Sequence, residues 1–289
     1  MRIPESELII NGDGSAFHLH IRPEQLADKV ILVGDPGRVA MIKSHFTSLE
    51  AGGASREFVW ATGVYNGVRV TGLSTGIGTD NIDIVMTELD ALANVDFTTR
   101  EVHPEHRTLD VLRIGTCGAI QPEIPLGAFI FSDISVGCDG LLNWYEGRDD
   151  ISLLDFEEAF KAHVHWARHL PDPYFVRASD KLIRLFEDCS YKGMTISAPG
   201  FYGPQGRVVR QGLAMPDMLR DFESFSFGGY KITNFEMEGS ALAGMAAKLG
   251  HNAGTICAAI AHRYHKAANT DYKPRVAELI ELGLRKMTE

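Results

Sequence analysis

The apolar positions of the chain fall into short runs separated by stretches with helical spacing. "KVILVG" at 29–34 is a β-branched run that predicts a strand, and "DPGRVAMIKSHF" after it predicts a helix with Pro36 in its first turn. Residues 57–74, "EFVWATGVYNGVRVTGLS", read as a hairpin turning at Asn66-Gly67, a pair that tolerates positive φ. Residues 79–93 are amphipathic at helical spacing, with Asp80 and Asp83 near the start, where the helix dipole favours negative charge. Strands are predicted at 110–115 and 127–137 and helices at 152–169 and 179–189. The strand "YKITNFE", a helix of small residues, the strand "NAGTICAAIA" and a last helix at 274–287 complete the pattern. Apolar strands alternating with helices predict an α/β fold with a mixed central β-sheet flanked by helices on both faces. No linker or repeat interrupts it, so residues 1–289 read as a single domain, with the polar stretch 97–109 as a surface insertion.

Composition narrows the function classes. With 289 residues, 45% hydrophobic and 23% charged, the chain can bury a sizeable core without disulfides or metals. A net charge of −10 argues against nucleic acid or an anionic membrane as partner, so an anionic ligand would have to be met by a local cluster of arginines. Cys117, Cys138, Cys189 and Cys257 have no framework spacing, the N-terminus has no signal-peptide pattern, and no apolar run is long enough to span a bilayer. The expectation is a cytoplasmic protein.

Four stretches could carry chemistry. In "VILVGDPGR" a strand ends in Gly34 and a helix starts two residues later, an anion-binding arrangement that Arg38 would reach; a solvated arginine after a plain turn is the alternative. In "VLRIGTCGAI" Arg113 lies within an apolar strand and needs an anion, either a ligand or a structural carboxylate, and Thr116 follows. The loop "SAPGFYGPQGRVV" offers Phe201 as a ring to stack on and Gln205 and Arg207 as donors and acceptor for a planar amide edge, unless it is only an exposed turn. Finally "FEMEG" puts Glu236 and Glu238 around Met237 at a strand end. A carboxylate there suits a vicinal diol, or else complements the start of the next helix.

With those motifs in place, the chain resembles the nucleoside phosphorylase family and, within it, the uridine phosphorylases. The likeness runs in order through "FHLHI", "VGDPGR", "REF", "STGIG", "RIGTCGAI", "FYGPQGR", "FEMEGSAL" and "AAIAHR". The resemblance implies phosphate held by Gly34, Arg38, Arg113 and Thr116, with Arg56 supplied by a neighbouring subunit. It implies ribose bound by Thr116, Met237, Glu238 and the neighbour's His18, and uracil bound by Phe201, Gln205 and Arg207 with Arg263 behind them. Glu236 is included among the substrate binders. Purine-cleaving relatives carry an aspartate after the penultimate strand; here that place reads "AIAHRY", with His262 and Arg263. Cys117 departs from the family's serine or threonine. Glu57 and Ile77 match positions that hold a monovalent cation between subunits in some bacterial relatives, where Asn81 replaces a serine.

The implied reaction is phosphorolysis of uridine, with deoxyuridine as a further candidate, to uracil and ribose 1-phosphate in pyrimidine nucleoside salvage. Arg113, Thr116, Gln205, Arg207 and Glu238 would be the catalytic set, and inorganic phosphate the co-substrate with no cofactor or metal. The implied assembly is a homo-oligomer of at least two chains, with a ring of three dimers common in the family. A purine nucleoside phosphorylase and a nucleoside hydrolase of the same fold are the near alternatives. "GLSTG" at 72–76 also matches a nucleophile elbow, so a serine hydrolase using Ser74 is the rival from another class. His165 and His169 have zinc-like helical spacing, and "HPEH" at 103–106 is a weaker pattern of the same kind.

Overall fold

The computed structural model describes residues 2–263 and 265–289. In chain order the first half comprises β1 (Lys29–Val33), α1 (Pro36–Ser44), β2 (Ser48–Ser55), β3 (Phe58–Tyr65), β4 (Val68–Ser74), α2 (Thr79–Asn94), β5 (Val95–Asp96), β6 (Glu101–Val102), β7 (Asp110–Ala119) and β8 (Phe129–Gly137). The second half comprises α3 (Leu154–Val164), β9 (Tyr174–Arg177), α4 (Asp180–Leu185), β10 (Tyr191–Ser197), α5 (Met218–Ser224), β11 (Ser226–Phe227), β12 (Tyr230–Glu236), α6 (Gly239–Leu249), β13 (Asn252–His262), β14 (Ala267–Ala268) and α7 (Lys273–Thr288). This is an α/β fold built on one large mixed sheet.

Strand β1 explains the layering. Val30 and Leu32 point into a core shared with α2 and α6, through Ile82, Val85, Leu242 and Met245, whereas Ile31 and Val33 point into a second core with α1 and α7, through Val39, Ile42, Leu279 and Ile280. A strand buried on both faces has no reason to alternate with polar residues, which is why the strand is apolar throughout after Lys29. The β3–β4 hairpin turns at Asn66 and Gly67, both at positive φ (50° and 77°), so the two-residue turn matches the twist of the strands. Strand β2 adds to its outer edge.

The other end of the sheet closes on itself. β7 pairs with β13, β13 with β8, β8 with β10 and β10 with β12, and β12 returns to β7 through Asn234 opposite Ala119 and Phe235 opposite Gly118. Register shifts at Gly193/Met194, Met194/Thr195 and Ala259/Ala261 supply the local twist such a ring needs.

The structure shortens two expected helices. The 152–169 helix stops at Val164 because His165 takes a left-handed conformation (φ 50°) and caps it, and the 179–189 helix ends at Leu185. Residues 97–109 lie mostly at the surface, with β6 pairing β5 in a two-stranded ribbon. Among the described residues, no helix is long and apolar enough to cross a membrane.

Candidate active site

Three parallel strands set the floor of the site. In the β1–β4 and β1–β7 registers Val33 faces Ser74 and Ile114, so the segments after these strands emerge side by side. Open α/β sheets bind their ligands at such carboxyl edges. After β1, Asp35 caps α1 by accepting the N–H of Gly37 at 2.8 Å, and Arg38 follows one turn in. After β4, Gly76 donates to the carbonyl of Gly34 at 3.0 Å and stitches the two loops together. On β7, a side chain at Gly115 would begin 2.4 Å from Nη1 of Arg113; glycine there lets the guanidinium lie across the backbone.

These elements border a cleft of about 560 Å³. It brings together ten of the expected residues: Gly34, Arg38, Arg113 and Thr116 from the strand-end loops; Glu236, Met237 and Glu238 from the end of β12; and Phe201, Gln205 and Arg207 from the loop after β10. Asp35 and Tyr272 also line it and were not singled out from sequence; Asp35 lay inside the "VGDPGR" motif, while Tyr272, at the start of α7, had no motif to mark it, and Ile77, noted only for a cation position, lines the cleft too.

The anion that Arg113 requires is, in the first instance, the pair of glutamates. Its Nη1 lies 3.2 Å from Glu236 and its Nη2 pairs with Glu238, and all three side chains are buried. Ring closure makes this possible, since β12 returns alongside β7. Burial works against the charge on Arg113, but Glu238 and then Glu236 outweigh it and hold the guanidinium's pKa above its ordinary value. Two carboxylates share one guanidinium, so the triad carries surplus negative charge. Burial accordingly raises the Glu238 carboxyl, against the pull of Arg113 and with Glu236 adding to the rise. Glu238 is further tied by the N–H of Gly78 at 2.8 Å. The guanidinium of Arg38, by contrast, has no hydrogen bond or ion pair among the described residues, which makes it the free cation of the strand-end loops.

At the other end of the cleft Gln205 is buried and Arg207 donates to its Oε1 at 2.7 Å and to the carbonyl of Phe201 at 2.5 Å. The guanidinium lies 3.8 Å over the Phe201 ring, which is itself half exposed. Arg263 holds the backbone carbonyl of Gln205 at 2.9 Å from behind. Burial, with Arg263 nearby, pulls the Arg207 pKa down to about 10; burial also lowers that of Arg263. Neither arginine has a carboxylate partner among the described residues.

Several expectations change. Glu236, expected to touch substrate, spends its oxygens on the N–H groups of Glu238 and Gly239, the hydroxyl of Ser197 and Arg113. It fills the role of complement to the start of α6. Three residues keep the places expected of them outside this cleft: the resemblance gives His18 and Arg56 to a neighbouring copy's site and Arg263 to a position behind the base binders. His18 is bound to Glu88, Arg56 is exposed in a left-handed turn (φ 54°), and Arg263 sits behind Gln205. The nucleophile-elbow reading fails: Ser74 is fully buried and its hydroxyl bonds the backbone of Glu57 and Val59. The His165–His169 spacing never becomes a helix turn, because His165 ends α3.

His106 of the "HPEH" stretch does meet His251 and Asp90, with candidate ligand atoms within 4.8 Å of one another. But His251 accepts the Leu109 N–H through Nδ1, so its Nε2 carries the proton toward Asp90 at 3.1 Å, and His106 Nε2 faces the Leu249 carbonyl at 2.9 Å. Hydrogen bonds account for the group.

A sequence model described as the phosphorylase superfamily matches residues 28–282. Uridine phosphorylase of Thermococcus kodakarensis is 30% identical over 251 residues, covering 87% of this chain and 79% of that protein. A DeoD-type purine nucleoside phosphorylase of Colwellia psychrerythraea is 24% identical over 275 residues, covering 92% and 97%. The crystal structure of a Trypanosoma brucei nucleoside phosphorylase with uridine phosphorylase activity superposes with a TM-score of 0.88 at 28% identity, covering 97% of this chain and 99% of that one. The arginine-rich cleft at the carboxyl edge of the sheet thus sits in a chain that belongs to the phosphorylase superfamily, among the nucleoside phosphorylases, which are pentosyltransferases.

Proposed function

We propose that the chain phosphorolyses uridine to uracil and ribose 1-phosphate in the cytoplasm. The observation that carries this reading is the Gln205–Arg207 pair at the base end of the cleft, backed by Arg263 and with no carboxylate bonded to it among the described residues. The carboxylates of the cleft are engaged elsewhere: Asp35 caps α1, and Glu236 and Glu238 bind Arg113. A purine leaving group calls for a proton donor; a uracil anion calls for N–H donors near its carbonyl oxygens, and these are present. The similarity to uridine phosphorylases supports the same choice.

Phosphate would be held by the Gly34 backbone, Arg38, Arg113 and the Thr116 hydroxyl, a task of position and charge. Glu238 and Met237 would hold the ribose. As the C1′–N1 bond breaks, its electron pair passes into the uracil ring, and a phosphate oxygen forms the new bond to C1′ from the opposite face. Arg207 and Gln205 would take up the developing charge, with Phe201 stacked on the ring. Each role has a side chain to fill it, with inorganic phosphate as co-substrate and no cofactor invoked. His18 and Arg56, outside the cleft of their own chain, would complete the site of a neighbouring copy, giving a homo-oligomer of at least two chains and, in the larger form, a ring of three dimers.

The test follows uridine absorbance with and without phosphate. Loss that requires phosphate supports the reading. Equal loss without phosphate identifies a hydrolase, and cleavage of inosine with uridine untouched identifies a purine enzyme.

A further inference from the structure

Glu236 and Glu238 both reach Arg113, yet their surroundings differ. Both line the cleft, but Glu238 makes fewer side-chain bonds, one from the Gly78 N–H at 2.8 Å and one from Arg113. Glu236 has three hydrogen-bond donors and an ion-pair partner. The N–H groups of Glu238 and Gly239 reach Oε2 at 2.8 and 2.9 Å, the Gly239 N–H also lies 3.0 Å from Oε1, the Ser197 hydroxyl donates to Oε1, and Arg113 Nη1 lies 3.2 Å from Oε2. Both oxygens are thus satisfied within the protein, without a sugar hydroxyl.

Ser197 is equally committed. It stands opposite Glu236 in the β10–β12 register, is fully buried, accepts the N–H of Ser240 at 2.8 Å and gives its proton to Glu236. The packing leaves no slack: a side chain at Gly239 would begin 3.1 Å from Glu236 Oε1.

We propose that Glu236, locked by Ser197, is a positioning residue that fixes Arg113 for the phosphate oxyanion and makes no contact with the sugar. The proposal rests on the nucleoside-phosphorolysis reading. When the ribose hydroxyls draw Glu238 away, Arg113 loses one partner, and a buried guanidinium with a single free side would swing toward whatever anion is nearest. Glu236 is the partner that stays. The two acids of "FEMEG" then have separate tasks, one exchangeable and one fixed.

Ser197→Ala removes the lock without altering a charge. It is expected to raise the KM for phosphate about tenfold while the KM for uridine stays within about twofold. Ser197→Thr, which keeps the hydroxyl, should restore the phosphate KM. If Ser197→Ala does not fold, Glu236→Gln is expected to give the same split. A rise in the uridine KM equal to that for phosphate, or an unchanged phosphate KM, overturns the proposal. A second arm needs no turnover: inorganic phosphate alone should raise the thermal midpoint of the wild-type protein and raise that of Ser197→Ala much less. No shift in the wild type, or equal shifts in both, also overturns it. Should the wild type leave uridine intact, the substrate reading fails while this arm still decides the role of Glu236.

Discussion

Oε1 of Glu88 lies 2.6 Å from Nδ1 of His18, and the same buried carboxylate accepts the backbone N–H groups of His18 and Leu19 at 2.9–3.1 Å. Because a carboxylate can only accept, Nδ1 carries a proton and the imidazole is held with Nε2 facing outward. Glu88→Ala strands three N–H groups at once. The expected loss is about 2–4 kcal/mol of unfolding free energy, measured in urea. A loss near zero would mean that this contact does not persist in solution.

If His18 serves a neighbouring copy, its loss can be complemented. His18→Ala and Arg207→Ala should each be nearly inactive alone, and subunits mixed through unfolding and refolding should recover about a quarter of the wild-type sites. This follows because half of randomly paired dimers are mixed and each mixed dimer has one intact site. No recovery would place His18 outside the reaction.

Arg207→Ala should lower kcat on uridine by about 10²- to 10³-fold with little change in the KM for phosphate, since the side chain touches the base end alone. Steady-state rates with each substrate varied in turn check this. Equal damage to both would assign Arg207 to general architecture.

Asp110 provides a pH-dependent brace at the opposite end of β7. It meets Lys29 at 2.5 Å, Lys181 at 2.7 Å and Asn252 at 2.8 Å. Burial pushes its carboxyl up, but Lys181, Lys29 and Asn252 outweigh that and leave the folded-state pKa below the ordinary 3.8. A depressed carboxylate stabilises the fold above that ordinary value and loses its contribution as the pH falls through the lower, folded-state one. Asp110→Asn should therefore cost about 1–3 kcal/mol at neutral pH, and the gap to wild type should close in acid below 3.8. Urea midpoints across pH measure it.

Asn81 bears on monovalent cations. Its amide nitrogen donates to Glu57 at 3.1 Å and to the Thr75 carbonyl at 2.8 Å, so an internal N–H group bridges oxygens that would otherwise suit an ion. Replacing potassium by tetramethylammonium is expected to leave the rate within about twofold.

Much of this was legible in the chain. The apolar run of β1 and the Asn66-Gly67 turn announce themselves because their signals are local. Strand β2, "SLEAGGAS", does not: it has no apolar run and owes its extended form to pairing with β3. Arg113 could be read as needing an anion, but not which one, because Glu238 lies 125 residues away and the two meet only through the return of β12. The lock on Glu236 was invisible for the same reason, with Ser197 standing 39 residues earlier on another strand.

That return of β12 has a mechanical consequence. The strands bearing Arg113 and the two glutamates are stitched edge to edge at Asn234–Ala119 and Phe235–Gly118. The walls of the cleft therefore cannot part like jaws without tearing backbone hydrogen bonds. Admission of a nucleoside falls instead to the stretch after β10 that carries the half-exposed Phe201, since the 75–78 turn is itself tied to Gly34 and Glu238 and stays with the charged floor.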